Sequence, residues 1–231
     1  MKRIASFTLT LAILLVVASG CKKKKYDNAN IMLLHAAPDI EKVDFYMQDK
    51  LQKSAIDYGT GSGYIYIKKS EDAEYSGEIK DNTTQGLLAT IDNPSLEKDS
   101  NYTVILYGSA SNVTKDIIKD NFYTPAAGKS LIRFMHLSPD APAMDFFLNM
   151  DAIATNKVYY GSNILNGITG FIEVNSGTYN IIARLNGTTV NAATISPFTL
   201  ESGKVYTVFL KGYISVFSGP KVISMTIGAN N

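Results

Sequence analysis

His35, Asp39 and Asp44 bring one imidazole and two carboxylates into a short stretch, and His136, Asp140 and Asp145 bring them again. Such a set could ligate a divalent cation or divide acid and base work between its members. Each set sits inside one longer pattern. His35-Ala36-Ala37-Pro38-Asp39 precedes Val43-Asp44-Phe45-Tyr46; His136-Leu137-Ser138-Pro139-Asp140 precedes Met144-Asp145-Phe146-Phe147. The offset, 136 − 35 = 101, is the same at the His, the Pro and both Asp. The chain is therefore one fold written twice, and every polar candidate has a twin. That weakens a catalytic reading. Each copy also supplies only one His. The reading adopted is a brace: His35, Pro38, Asp39 and Asp44, with His136, Pro139, Asp140 and Asp145, satisfy backbone groups of a crossover loop. An unmade hydrogen bond there would cost roughly 1–3 kcal/mol. No catalytic residue, metal or cofactor is expected.

The elements that position these groups read as strands. Val43, Phe45 and Met47 alternate with Asp44, Tyr46 and Gln48; Met144, Phe146 and Leu148 alternate with Asp145, Phe147 and Asn149. A period of two buries one face of each strand. Asp44 and Asp145 fall one residue off that face. Ile31, Leu33 and His35 share a face, as do Ile132, Phe134 and His136, so each His ends the apolar side of a strand. Pro38 and Pro139 then fix φ and turn the chain, and Asp39 and Asp140 follow where a short carboxylate accepts from backbone N–H groups.

Later strands repeat with shifted offsets. Gly63-Tyr64-Ile65 matches Gly170-Phe171-Ile172, and Tyr102-Thr103-Val104 matches Tyr206-Thr207-Val208. The shift places a loop insertion near 163–167 in copy two. Asn186-Gly187 reads as a type I′ hairpin turn. Many short strands with Gly, Asn, Ser and Thr between them predict an all-β chain of two tandem antiparallel β-sandwiches. The expected divisions are a signal at 1–20, a tether at 21–30, and sandwiches at 31–126 and 129–231, standing as beads on a short connection.

Other chemistry is sparse. The metalloprotease, nucleophile-elbow and P-loop patterns are missing. Gly59-Thr60-Gly61-Ser62-Gly63 reads as a flexible loop, and Glu71-Asp72-Ala73-Glu74 as a solvated turn. Aromatic side chains are the more suggestive feature, with Tyr 14 and Trp 0. Tyr46 and Phe147 lie off the core face beside Asp44 and Asp145. They are candidate contacts for a sugar or a protein, an exposed Tyr pairing an apolar ring with a polar tip; the plainer reading is strand propensity.

The N-terminus sets an address. Lys2 and Arg3 precede an apolar stretch, small residues at 18–20, and Cys21, the one cysteine of the chain. This is a secretory layout. Val17-Ala18-Ser19-Gly20-Cys21 resembles the bacterial lipobox, which implies lipidation at Cys21, cleavage of the signal and anchoring in the outer membrane. Lys22 to Lys25 then form a tether that repels itself and is drawn to anionic headgroups. With Cys21 lipidated no thiol remains for a disulfide or a zinc site. Residues 31–128 carry 15 acidic and 9 basic side chains, and 129–231 carry 5 and 7. No dense basic patch lies outside the tether, which argues against nucleic acid.

His-X-X-Pro-Asp, the hydrophobic-Asp-hydrophobic strand, Gly-aromatic-Ile and Tyr-Thr-Val together resemble the domain-of-unknown-function family 4397, here in two copies. Copy two carries Pro142 in the Pro-Asp-Ala-Pro form, where copy one has Glu41. The resemblance implies a bacterial envelope protein of the Bacteroidota with immunoglobulin-like or transthyretin-like sandwiches, and it brings no catalytic residue. The function expected is a non-enzymatic lipoprotein that binds a protein or glycan. The alternatives are a periplasm-facing structural subunit of an envelope complex and a polysaccharide hydrolase.

Overall fold

A computed structural model describes residues 28–68, 75–92 and 94–230. The signal at 1–20, Cys21, residues 22–27 of the tether and the 71–74 acidic run lie outside the described residues, whereas 28–30, expected as tether, begin the first strand. Copy one folds as β1 (Asn28–His35), β2 (Lys42–Met47), β3 (Lys50–Asp57), β4 (Ile65–Lys68), β5 (Ser76–Asp81), β6 (Leu87–Asp92), β7 (Ser100–Tyr107) and β8 (Thr114–Lys119). Copy two repeats them as β9 (Lys129–His136), β10 (Met144–Leu148), β11 (Asp151–Lys157), β12 (Ile172–Asn175), β13 (Gly177–Leu185), β14 (Asn191–Leu200), β15 (Val205–Lys211) and β16 (Ser224–Ala229). The insertion near 163–167 forms a one-turn helix, α1 (Ile164–Gly167), with Asn163 accepting from Asn166 N at its start.

Each copy is a sandwich of two four-stranded sheets. The outer sheets run β3-β2-β5-β6 and β11-β10-β13-β14, and the inner sheets β4-β1-β7-β8 and β12-β9-β15-β16. Ile31, Leu33, Val43, Phe45 and Val104 fill the first core. Ile132, Phe134, Phe146 and Val208 fill the second, with the Phe134 and Phe146 rings stacked at 4.9 Å. The expected alternation on β2 and β10 is present. The sheets are not wholly antiparallel: β1 pairs β7, and β9 pairs β15, in parallel. The chain crosses to the outer sheet and back between those strands, which supplies the long connection a parallel pair requires.

The expectation of two beads does not hold. Leu34, Ala36, Ile105 and Tyr107 of copy one form a third core with Met135, Leu137, Tyr160 and Phe209 of copy two. The inner sheets thus lie against each other, and the molecule is a stack of four β layers. Strands buried on both faces read as continuous apolar runs. Ile31 to Leu34 and Val104 to Leu106 are such runs, and they carried this signal in the sequence.

A polar network completes the contact. Arg133 Nη1 donates to Asp120 Oδ1 at 2.5 Å, Nε to Thr207 Oγ1 at 2.8 Å and Nη2 to Thr103 Oγ1 at 3.0 Å. Thr103 and Tyr64 donate to Asp120 Oδ2 at 2.6 and 2.5 Å. The pseudo-equivalent site is neutral. Asn230 takes the place of Asp120, each amide bonding the neighbouring strand at Val205 O and Asn101 O. Met32 takes the place of Arg133, and Thr207 donates to Asn230 Oδ1 at 2.7 Å. Carboxylates of copy one meet cations of copy two here and at Asp39–Lys221.

Turns differ from expectation in one place. β13 and β14 do form a hairpin, but its loop spans 186–190 and only Gly187 has positive φ, at 69°. The two-residue turn with positive φ at both positions joins β2 to β3 instead, at Gln48 and Asp49. The 59–63 segment is tied down: Ser62 N donates to Leu33 O and Gly59 N to His35 O, both at 2.8 Å.

Candidate functional site

β1 and β9 deliver their histidines at the same end of the stack, where β7 and β15 also end. His35 and His136 are fully buried. His35 Nε2 lies 3.0 Å from Ile40 O, and His136 Nε2 lies 2.9 Å from Pro142 O. A carbonyl only accepts, so Nε2 carries the proton in each ring. Both Nδ1 atoms are buried without a partner. Burial therefore lowers the His35 pKa from 6.5 to about 4 and lowers that of His136 as well. The rings are neutral spacers at ordinary pH. Counted from each His, the accepting carbonyl is one residue later in copy two, so the two loops differ where Glu41 replaces a proline.

Asp44 and Asp145 brace a β-bulge. Residues 54 and 55 oppose Asp44 alone, and 155 and 156 oppose Asp145 alone. Ala55 and Asn156 have φ of 52°. Asp44 accepts from Ala55 N at 2.9 Å, Asn82 Nδ2 at 2.8 Å and Gln85 Nε2 at 3.0 Å. Asp145 accepts from Asn156 N and Asn186 Nδ2 at 2.7 Å and Gly187 N at 3.1 Å. Burial raises both pKa values, but these donors outweigh it and hold both below the usual range. Among the described residues no three His, Cys, Asp or Glu side chains are placed to share a cation.

Asp39 and Asp140 diverge. Asp140 stays within copy two, accepting from Ile214 N, Ser215 N and Ser215 Oγ. Asp39 accepts from Ala110 N at 2.9 Å and, across the copies, from Tyr213 Oη and Lys221 Nζ, both at 2.6 Å. Burial raises the Asp39 pKa, and these donors outweigh it and hold it low. Tyr213 and Lys221 belong to the β15–β16 connection, twelve residues long where β7–β8 has six. This longer loop reaches over copy one.

A cleft of about 450 Å³ results, walled by Pro38, Asp39, Ile40, Glu41, Asp57 and Tyr58 of copy one and by Pro220 and Lys221 of copy two. The Tyr58 ring stands edge-on to His35 at 5.8 Å, and Lys211 Nζ lies 4.4 Å above it. Gly59 permits this, with φ of 82° and a Cβ position only 2.4 Å from Lys211 Cε. Tyr58, Glu41, Pro220 and Lys221 carry no motif of their own. The signal that could have found them was the unequal loop length between matched strands.

Tyr46 and Phe147 do lie on the outer sheets, half-buried. Each has a cation over its face: Lys80 at 4.9 Å above Tyr46 and Arg184 at 4.3 Å above Phe147. Cation–π contacts of this kind occupy the ring surface that a sugar would stack on.

The geometry defines a tandem β-sandwich protein with a loop-walled cleft between its copies. The chain belongs to the family described as Domain of unknown function (DUF4397), whose model matches residues 29–147 and 130–224. No curated protein sequence matches it. Among solved structures it is similar to a family 26 carbohydrate-binding module of Eubacterium rectale in complex with maltoheptaose. That match has 10% identity and a TM-score of 0.26, over 87% of this chain and 96% of that one. It is also similar to a streptococcal virulence factor described as binding alpha-glucan, with 11% identity and a TM-score of 0.24, over 80% and 92%.

Proposed function

We propose that the chain is a non-enzymatic binding module of the bacterial envelope, anchored at the outer membrane through lipidated Cys21. Its contact surface is the cleft between the 38–41 loop and the 212–223 loop. The observation that carries the reading is the placement of that cleft. It lies where β1 ends, while the tether joins at Asn28, the other end of the same eight-residue strand. At about 3.3 Å per residue the strand holds the cleft roughly 25 Å from the anchored end. The four-layer stack makes this a fixed distance, which suits a module that presents a site away from a membrane. The motif carboxylates are each occupied by donors within the protein, which supports binding over hydrolysis.

A second reading, a subunit of an envelope complex, draws on one patch. Ile164 and Leu165 of α1 are 49% and 90% exposed beside Phe171, on the flank of the stack. Exposed apolar clusters of this kind mark protein contacts.

The test is to probe glycan and peptide arrays with the purified protein, with Asp39→Ala, which releases the 212–223 loop, and with Lys98→Ala at the tether end as control. Binding that survives Lys98→Ala and fails with Asp39→Ala supports the cleft. No binding on either array, or cleavage of a bound glycan, refutes the module. Cys21→Ala should move the chain from the membrane to the soluble fraction, and retention in the membrane would refute the anchor.

A further inference from the structure

The core between the inner sheets is lopsided. Tyr160, Ile168 and Ile118 pack into one flank of it, and the Tyr160 hydroxyl donates to Asp116 Oδ2 at 2.8 Å. The pseudo-equivalent flank has glycine at each matching position. Gly59 N and Tyr160 N both donate to the carbonyl of the motif His, at 2.8 Å. Gly61 bridges Leu34 where Ile168 bridges Met135. Gly228 opposes Thr207 across β15 and β16, where Ile118 opposes Thr103 across β7 and β8. Large side chains on one flank are thus replaced by glycines around one spot on the other.

Lys211 lies over Gly59. Beyond it a notch of about 170 Å³ remains, walled by Met32, Leu34, Gly61, Phe209, Thr226 and Gly228. Gly61 and Gly228 are exposed at its mouth. Ile227 packs into the second core, so its neighbour Gly228 faces the notch. The volume matches one ring, since an apolar cavity of about 150 Å³ holds benzene. It is smaller than the roughly 300–1,000 Å³ of small-molecule sites, which suits a single anchoring side chain better than a whole ligand. A Met sulfur and a Phe ring among the walls favour an aromatic occupant.

The chain presents such a ring. Phe217 is 93% exposed, the most exposed large apolar side chain among the described residues. It sits in the 212–223 loop, which runs directly into β16, the strand that walls the notch. Ring and socket therefore lie on one seam of the molecule. A two-fold pair needs this, because the same patch must serve both molecules. We propose that two copies of the chain pair by exchanging Phe217, each ring entering the other's notch over Gly61 and Gly228. The full flank shows the kind of filling that the notch lacks, an aromatic ring delivered by a loop. This goes beyond the binding-module reading and is independent of it.

The test is sedimentation velocity of the full chain in detergent over a rising concentration series, for the parent, Phe217→Ser, Gly228→Ile and an equal mixture of the two variants. Gly228 has no positive φ, and a Cβ there meets nothing within 4 Å. Gly228→Ile, which installs the counterpart residue Ile118, should therefore close the notch while the thermal midpoint holds or rises. The parent should dimerise, and each variant alone should pair at least about tenfold more weakly. The mixture should pair more tightly than either variant, because one chain still offers Phe217 and the other an open notch. Mixing would not repair general damage to the surface. A monomeric parent, variants that pair as the parent does, or a mixture no tighter than its components would overturn the proposal. So would a monomer whose Met32 methyl NMR signal shifts with added p-cresol, which would give the notch to a foreign ring. Each of these outcomes leaves binding at the 38–41 cleft to its own test.

Discussion

Arg133→Met should be among the most damaging single substitutions outside the hydrophobic cores, and adding Asp120→Asn should undo most of the damage. The Arg133 and Asp120 side chains are 3% and 0% exposed, and their ion pair sits between the inner sheets. Removing the guanidinium leaves Asp120 two donors, Thr103 and Tyr64, but no cation. Breaking a buried pair from one side costs about 3–5 kcal/mol, because a desolvated charge is stranded. The pair itself is another matter. Its pseudo-equivalent is Met32 with Asn230, so the molecule already contains a neutral version of the same contact. Arg133→Met with Asp120→Asn copies that arrangement and should lie within about 1 kcal/mol of the parent, since neutral replacements of buried pairs are often tolerated. Urea denaturation followed by tyrosine fluorescence and far-UV circular dichroism would measure it, the chain having Tyr 14 and Trp 0. The double-mutant cycle should then show a coupling of at least about 2 kcal/mol. A single variant that loses under about 1 kcal/mol, or a double variant no better than either single, would refute the argument.

Three further outcomes follow from the brace and the buried rings. Asp44→Ala and Asp145→Ala should each destabilise by about 2–3 kcal/mol in chemical denaturation, because each leaves a bulge N–H and a loop donor without an acceptor; a loss under about 0.5 kcal/mol would remove the brace. Ala55→Asn should stabilise by about 0.5–1 kcal/mol, since Asn tolerates the left-handed φ of 52° that copy two fills with Asn156. Acid should weaken the fold early. The unfolded chain protonates His35 near 6.5, whereas the folded chain resists until about 4. The unfolded state therefore binds more protons in that window, so stability is complete above the upper value and declines toward the lower, by about 3 kcal/mol in all for this ring. His136 adds to the same slope, its folded pKa also being lowered. Denaturation midpoints at pH 7.5, 5.5 and 4.5, with histidine ring shifts read by NMR, would follow it; a flat profile above pH 4.5 would refute it.

Much of the layout was legible because it rests on local rules. Alternation at Val43, Phe45 and Met47 marks a half-buried strand wherever it occurs, and the 101-residue repeat states that whatever copy one does copy two does also. The motif's partners were not legible. Asp44 finds Asn82 and Gln85 about forty residues away, and no spacing rule links a carboxylate to a turn on another hairpin. The bulge at Ala55 was hidden for a related reason: alanine has no preference for positive φ, so tertiary contacts impose the conformation there. Tyr46 and Phe147, expected off the core face, are half-buried. What covers them, Lys80 and Arg184, depends on strand register across β5 and β13.

By itself the sequence determined that this is an all-β chain written twice, with each His at the end of a strand and an Asp on the strand that follows. Periodicity and repetition are properties of neighbours along the chain, and they survive without knowledge of the fold. Only the tertiary structure decided that the copies press their inner sheets together and that copy two's longer loop closes over copy one. Both depend on which faces remain apolar after each sandwich has formed, and on groups more than a hundred residues apart meeting in space, as Asp39 and Lys221 do. The cleft exists because copy two's 212–223 loop is long enough to reach over copy one, where its counterpart in copy one is half the length.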